Sequence, residues 1–276
     1  MKMNRSTMMV AIGASVILIT AAFALLAPYI VKFDPNEMHL ADRLQAPSSI
    51  HLLGTDENGC DIFSRMVYGS RVSLMVALFV VLTSGCVGLI LGSVAGFYGG
   101  KVDYLVTRFI DVVYAFPGFL LALSLVAVLG PSLQNLVISM SLTGWAGFAR
   151  LVRGEVLHLR EKEYVLSARA LGAGTFRQLV FHVWPNLLGL VVVHSTFALA
   201  GTIIAEAGLS FLGLGVPSTT PTWGALLNSG RRFLSEAPHI SLFPGVAILI
   251  LVLGFNLFGD GLRDFLDPRQ QTQKAS

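Results

Sequence analysis

Long apolar runs recur along this chain, and they restrict its fold more than any other feature. Residues 8–31, 72–97, 104–129, 133–149, 186–207 and 242–262 are dominated by Leu, Val, Ile, Ala, Gly and Phe. About 20 such residues in a helix cross the ~30 Å hydrocarbon core of a bilayer. A backbone in lipid must satisfy its own hydrogen bonds, so only helices and closed barrels span. A barrel would show short alternating segments, and this chain shows long runs. Composition agrees: 54% of residues are hydrophobic and only 13% charged, against about 25% charged in soluble domains. Mean hydropathy is +0.71. The expected fold class is therefore an all-α polytopic membrane protein with six transmembrane helices.

The basic residues orient it. Cytoplasmic loops carry the excess of Lys and Arg. With both termini cytoplasmic, the inner side holds Lys2, Arg5, Lys101, Arg108, Arg150, Arg153, Arg160, Lys162, Arg169, Arg177, Arg263, Arg269 and Lys274. The outer side holds Lys32, Arg43, Arg65, Arg71, Arg231 and Arg232. The net charge of +3 comes from loops, so no nucleic-acid partner is expected. The first run is read as a span with a cytoplasmic start. Ala22-Phe23-Ala24 resembles a cleavage site, but the apolar run continues beyond it to Val31.

In chain order, an outer loop follows at 32–71. Its turn signals at Gly54-Thr55-Asp56 and Asn58-Gly59 predict a tight loop, then a short surface helix over 61–68. His51, Asp56, Glu57 and Asp61 have the chemistry of metal ligands, but a solvated turn and helix cap is the favoured reading. In the second span Ser84, Gly88, Gly92, Gly96 and Gly100 recur every fourth residue. That stripe predicts helix packing through Gly88, Gly92 and Gly96. GFYGGK at 96–101 fails the phosphate-loop pattern at both ends, so no ATP site of that kind is expected. Cys60 and Cys86 form no metal motif, and no metal ligand set is assigned. Arg108 and Asp111 can pair in the third span, which Pro117 can kink. The segment 208–240, rich in Gly and Pro, is expected to dip into the outer leaflet. The sixth span is expected to be interrupted by Pro244, Gly245 and Gly254.

Polar residues at membrane depth are the candidates for a translocation pathway: Asn135, Ser139, Thr143, His194, Thr202 and Glu206. Each also has an ordinary reading in packing or capping. The loop 150–185 is the most informative stretch. It carries six of the chain's 19 basic residues, and 163–171 reads as a helix stopped by Gly172 and Gly174. Tyr164, Ala168 and Leu171 share one face, with Glu163, Ser167 and Ala170 beside them. Such a small-residue face suits docking to a protein, or an interfacial helix held by membrane lipid.

The same loop resembles the cytoplasmic loop of binding-protein-dependent ABC importer permeases. The family pattern is Glu-Ala-Ala, three residues, Gly, nine residues, an apolar residue, one residue, Leu, Pro. Ala168, Gly172 and Pro185 match in register; Leu166, Ser167, His182 and Trp184 depart from it. Further likeness lies in 51–74, in GLSFLGLG at 208–215, in Pro221-Thr222-Trp223-Gly224 and in FNLFGDGLRDFLDPR at 255–269. Five motifs in order resemble the second permease of the peptide, oligopeptide and nickel branch.

The resemblance implies half of a path for ATP-driven import of di- or oligopeptides, with nickel or a metal chelate as the alternative. It implies a cytoplasmic coupling helix, with Glu163, Tyr164, Ser167, Ala168, Arg169, Ala170, Leu171 and Gly172 as ATPase-coupling residues. The implied partners are a second homologous permease, two ATPase subunits and an external substrate-binding protein. ATP and Mg would sit on the ATPase subunits and no cofactor on this chain, which is then no enzyme. The implied location is the bacterial cytoplasmic (inner) membrane. The expected division is 1–71 (first helix and outer loop), 72–269 (permease domain) and 270–276 (tail). The rival of another class is an ion-coupled transporter working alone through Glu206, His194 or Asp111. An intramembrane enzyme is disfavoured, since neither HExxH nor GxSxG occurs.

Overall fold

The computed structural model describes residues 5–217 and 219–266. Lys2, Arg269, Lys274 and the tail 270–276 lie outside the described residues. The described chain is helical, with one isolated bridge between Thr55 and Asp61 and no strand. Its helices are α1 (Arg5–Ile30), α2 (Ile62–Tyr98), α3 (Gly100–Tyr114), α4 (Gly118–Leu129), α5 (Leu133–Leu159), α6 (Glu163–Ala170), α7 (Thr175–Gln178), α8 (Trp184–Phe211), α9 (Trp223–Gly230) and α10 (His239–Leu266). Four described segments are long and apolar enough to cross a membrane: Ser6–Ile30, Ile62–Tyr98, Thr175–Phe211 and His239–Leu266. The bent pair α3–α4 makes a fifth if it counts as one span. α5 is not among them, because it is more polar than its neighbours.

Several boundaries differ from expectation. The surface helix expected over 61–68 is the first part of α2, whose 37 residues extend about 55 Å. No breaker separates the two parts. Gly69, the one candidate, lies against Trp223, with 3.2 Å between a Cβ built on it and Trp223 Cδ1. The expected division at 71/72 therefore falls inside a helix. The third span is broken, not merely kinked: α3 and α4 meet at 80°, with Pro117 at the junction. α10 runs without interruption through Pro244, Gly245 and Gly254. Gly254 and Gly13 are there for contact with α1. A Cβ on Gly254 would lie 2.7 Å from Val16 Cγ1, and one on Gly13 would lie 2.5 Å from Phe258 N.

The small-residue stripe of α2 meets α5, as the spacing predicts. A Cβ on Gly88 would lie 2.3 Å from Phe148 Cβ, on Gly92 2.5 Å from Ala149 O, and on Gly96 2.8 Å from Arg153 O. Real side chains do not fit at such distances, so the helices touch backbone to backbone. The stripe ends before Gly100, which faces open space.

The outer loop is a compact knot built on buried charge. The Asp56 carboxylate accepts from Asn58 N and Cys60 N, both at 2.9 Å, and from Arg65 Nη1. Asp61 caps α2 by accepting from Ser64 N at 2.8 Å, and its other oxygen meets His51 Nδ1 at 3.0 Å. These side chains are thus engaged as caps and ion pairs. Gly59, at φ +76°, lets the turn fold onto His39 O, 1.8 Å from where a Cβ would stand. His239 at the start of α10 lies 3.4 Å from Thr55 O. Cys60 is buried here, and burial, then the nearby Asp56 carboxylate, push its thiol up to about 11.

Three outcomes follow. Gly92→Leu should lower the thermal midpoint in detergent and break the α2–α5 contact, at a cost of about 3 kcal/mol or more. Gly154→Ala, where no atom lies within 4 Å, should be neutral or stabilising by up to about 1 kcal/mol. In a Cys86→Ser background, Cys60 should resist a membrane-impermeant maleimide at pH 7.5 and react on denaturation. A raised thiol pKa leaves little thiolate below it, so native labelling should rise only as the pH nears 11.

Candidate functional site

The first part of the site is the loop at the end of α5. Helix α5 continues past the expected end at 149 to Leu159 and delivers Arg160 to the end of α2, where Nη1 donates to Gly96 O at 2.9 Å. Helix α6 follows at once and matches the helix expected over 163–171. Gly172 ends it in the left-handed region at φ +85°, and its N–H donates to Arg169 O at 3.0 Å. One side chain ties α6 to the body. Val165 is buried against Val156, Leu159, Leu179 and Val183. The rest of the helix faces outward: Glu163, Tyr164, Leu166, Ser167, Arg169 and Ala170 are exposed, Leu171 and Gly172 beyond it likewise, and Ala168 is half-buried. The proposed coupling residues therefore lie on a surface open to a partner. Val165 was missed by pattern reasoning, although it is the only β-branched residue in the helix.

The motif's departures have structural consequences. Leu166, where the pattern has Glu, lines a polar cleft of about 480 Å³ with Arg160, Glu161, Arg169, Thr175 and Gln178. Trp184, where the pattern has Leu, donates from Nε1 to Ser93 Oγ at 3.0 Å and fixes the start of α8 on α2. Pro185 cannot donate to the preceding turn, and the chain passes it through a π-helical turn at Leu179–Val183. Asn186 Nδ2 satisfies His182 O at 2.8 Å.

The second part is a cavity of about 260 Å³ between α2, α4, α5 and α8. Of the six pathway candidates, Thr143, His194 and Thr202 line it. The Thr143 and Thr202 hydroxyls donate to Met140 O at 3.0 Å and Ala198 O at 2.7 Å on their own helices. Each keeps lone pairs free to accept from a solute. His194 meets Phe148 edge-on, with centroids 4.6 Å apart. Ser84, Phe119 and Phe148 also line the cavity; Ser84 was read only as part of the packing stripe and the two Phe not at all, because their partners are distant in sequence.

The other three candidates do not line it. Asn135 Nδ2 caps the end of α4 by donating to Leu129 O at 2.8 Å and Gly130 O at 3.0 Å. Ser139 is fully buried. Glu206 is also sealed inside, accepting from Ser73 Oγ at 3.1 Å and Ser210 Oγ at 2.8 Å. It joins α2 to the segment leading to α9, where GLSFLGLG and Pro-Thr-Trp-Gly fold back on α8. A Cβ on Gly215 would lie 2.0 Å from Ser210 Oγ, and one on Gly224 2.6 Å from Ala207 O. The expected Arg108–Asp111 pair is loose, at 3.9 Å, and Asp111 lies nearer to Arg150, at 3.6 Å.

An exposed helix on a basic loop, continuous with a helix that walls an inner cavity, is the arrangement of a transport subunit. Residues 88–272 match the model of the "Binding-protein-dependent transport system inner membrane component" family, and the chain belongs to that family. It is 42% identical over 261 residues to the dipeptide transport system permease protein DppC of Alkalihalophilus pseudofirmus, covering 95% of this chain and 86% of that one. It is 43% identical to the glutathione transport system permease protein GsiD of Pectobacterium atrosepticum (94% and 87% covered). It is 38% identical to the oligopeptide transport system permease protein OppC of Bacillus subtilis (96% and 87% covered). The fold is shared with a chain of the MetNI methionine ABC transporter in inward-facing conformations. That match has a TM-score of 0.61 and 17% identity, covering 75% of this chain and 98% of the other.

Val165→Ala should loosen α6 alone. Loss of about 2 kcal/mol of burial should raise tryptic cleavage at Arg160 and Lys162 at least tenfold by local opening. Tyr164→Ala, with an exposed side chain, should leave the rate within twofold.

Proposed function

We propose that this chain is one permease of an ATP-driven importer of short peptides, forming half of the transmembrane path. The observation that carries it is α6, a short exposed helix held by Val165 and continuous through α5 with the wall of the cavity. The names of the relatives, which include dipeptide, oligopeptide and glutathione transport permeases, favour peptides over nickel or a metal chelate. In this reading six segments span the bacterial cytoplasmic membrane. They are α1, α2, the broken α3–α4, α5, α8 and α10, with both termini and α6 on the cytoplasmic side.

The remaining components are a second, related permease, two ATPase subunits that bind ATP and Mg, and an external substrate-binding protein. The residues from Glu163 to Gly172 dock into an ATPase subunit. Closure of the ATPase pair displaces α6 and, with it, the α2–α5 body, which switches access to the path. Thr143, His194 and Thr202 line this chain's share of that path. Asn135, Ser139 and Glu206 hold the surrounding helices in place. This chain performs no covalent chemistry.

A charge on the docking face tests the reading. In cells, Ala168→Asp should reduce uptake of a labelled dipeptide at least tenfold while membrane-inserted protein stays within twofold of wild type. Undiminished uptake by an Ala168→Asp chain present at the wild-type level would remove α6 from the coupling route. Purification in mild detergent should recover a second permease and ATPase subunits with the chain. Recovery of the chain alone, moving solute on an ion gradient, would establish the ion-coupled rival.

A further inference from the structure

Helices α3 and α5 are joined by a short seam with an ion pair at each end. Ile110 is the one fully buried side chain of α3, set against Ala146 and Ala149 of α5. Beyond one end, Arg153 grips Asp103 with two nitrogens. Nη2 donates to Oδ2 at 2.6 Å, and Nε donates to Oδ1. Beyond the other, Arg150 lies 3.6 Å from Asp111 and 4.2 Å above the Tyr114 ring. The two pairs are not equivalent. Arg153 and Asp103 are 29% and 20% exposed, whereas Arg150 and Asp111 are 56% and 47% exposed. The bidentate, shielded pair is the stronger.

The seam lies between the two parts of the site. From Arg153, α5 runs to Leu159 and into α6. From Tyr114, residues 115–117 lead through Pro117 into α4, which turns by 80° and brings Gly118, Phe119 and Ala122 to the cavity. Pro117 has no N–H to continue the helical ladder, and no side chain caps α4. A break with so few bonds can act as a hinge. α3 is itself a rigid arm of 15 residues, about 22 Å long, so a tilt of about 10° moves its hinge end by about 4 Å.

We infer that Asp103 and Arg153 are positioning residues for transport. Their ion pair locks α3 to α5, so that displacement of α6 reaches the cavity wall on α4 through the hinge at 115–117. The inference rests on the permease reading above and adds the route by which α6 acts on the path. Helix α4 also packs directly on α2 and α5 through Ala122 and Val126, so the lock governs the hinge end of α4, at Gly118 and Phe119.

The test uses the complex purified with its co-purifying ATPase subunits in lipid nanodiscs, in a Cys60→Ser/Cys86→Ser background. Spin labels at Leu120→Cys on α4 and Ile204→Cys on α8, both exposed positions, report the width of the cavity by pulsed electron resonance. ATP with vanadate should shift the distance by about 3 Å or more in the otherwise wild-type complex. The near-isosteric Asp103→Asn should lose at least half of that shift while ATP hydrolysis stays within threefold. The exchanged pair Asp103→Arg/Arg153→Asp should restore it, which a merely structural defect would not allow. If Asp103→Asn moves as fully as wild type, the lock is wrong, whether or not the exchanged pair assembles. If the exchanged pair assembles without restoring the shift, the lock is also wrong. If the otherwise wild-type complex yields no ATPase activity, the permease reading fails and the lock with it.

Discussion

Helices α2 and α5 meet backbone to backbone, and both parts of the site depend on that contact. In lipid no hydrophobic force drives two apolar helices together, because the tails are as apolar as leucine. What remains is dispersion at short range, and that requires side chains small enough to let the backbones touch. Gly88, Gly92 and Gly96 meet this condition in turn against Phe148, Ala149 and Arg153. The same helix pair then serves both ends of the function. α5 leads directly into α6, and α2 supplies Val80, Val81 and Ser84 to the cavity. Arg160, reaching from the end of α5 to Gly96 O, closes the pair where α6 begins.

Beside that rigid pair, α6 and the inner end of α3 are attached by fewer and, for α3, more polar bonds. α6 is held by Val165, so most of its surface is available to a partner without unfolding anything. α3 meets α5 through Ile110, flanked by Val106 and Val113, and two ion pairs, and α4 follows it across a proline, with Ala122 and Val126 packed on α2 and α5. This gradient from dense packing to sparse polar contacts is what a moving transport subunit needs, because only weakly held elements change arrangement at low cost. The outer side is the opposite. Asp56, Asp61 and His51 are buried and bonded within the knot, and Glu206 joins α2 to the segment before α9. Removing one partner from such a buried group leaves an unpaired charge or acceptor, which costs several kcal/mol. The outer face is therefore stiff.

Much of this was legible in the chain. The apolar runs located α1, α2, α8 and α10, since an 18-residue apolar stretch has few fates besides a spanning helix. The four-residue glycine spacing identified the packing face of α2, because helical period alone decides which residues share a face. The α6 helix and its stop at Gly172 followed from propensity and from the left-handed conformation glycine tolerates. The likeness of loop 150–185 to importer permeases led to the family that the comparison with known proteins established.

Tertiary structure decided which polar residues meet. His194, Thr143 and Thr202 share a cavity, while Asn135, Ser139 and Glu206 do not, though all six read alike as polar residues at membrane depth. Their fates depend on partners far away in sequence: Ser73 for Glu206, and Phe148 for His194. Likewise Pro117 broke its span while Pro244 did not break α10. Pro244 is the sixth residue of α10, so its missing N–H leaves Ile240 O without its helical donor, and the helix continues past it. The sequence determined the membrane class, the packing stripe and the helix α6, because each is local and periodic. Only the fold decided the cavity, the α3–α5 ion pairs and the burial of Glu206, because each is a meeting of side chains that no local pattern encodes.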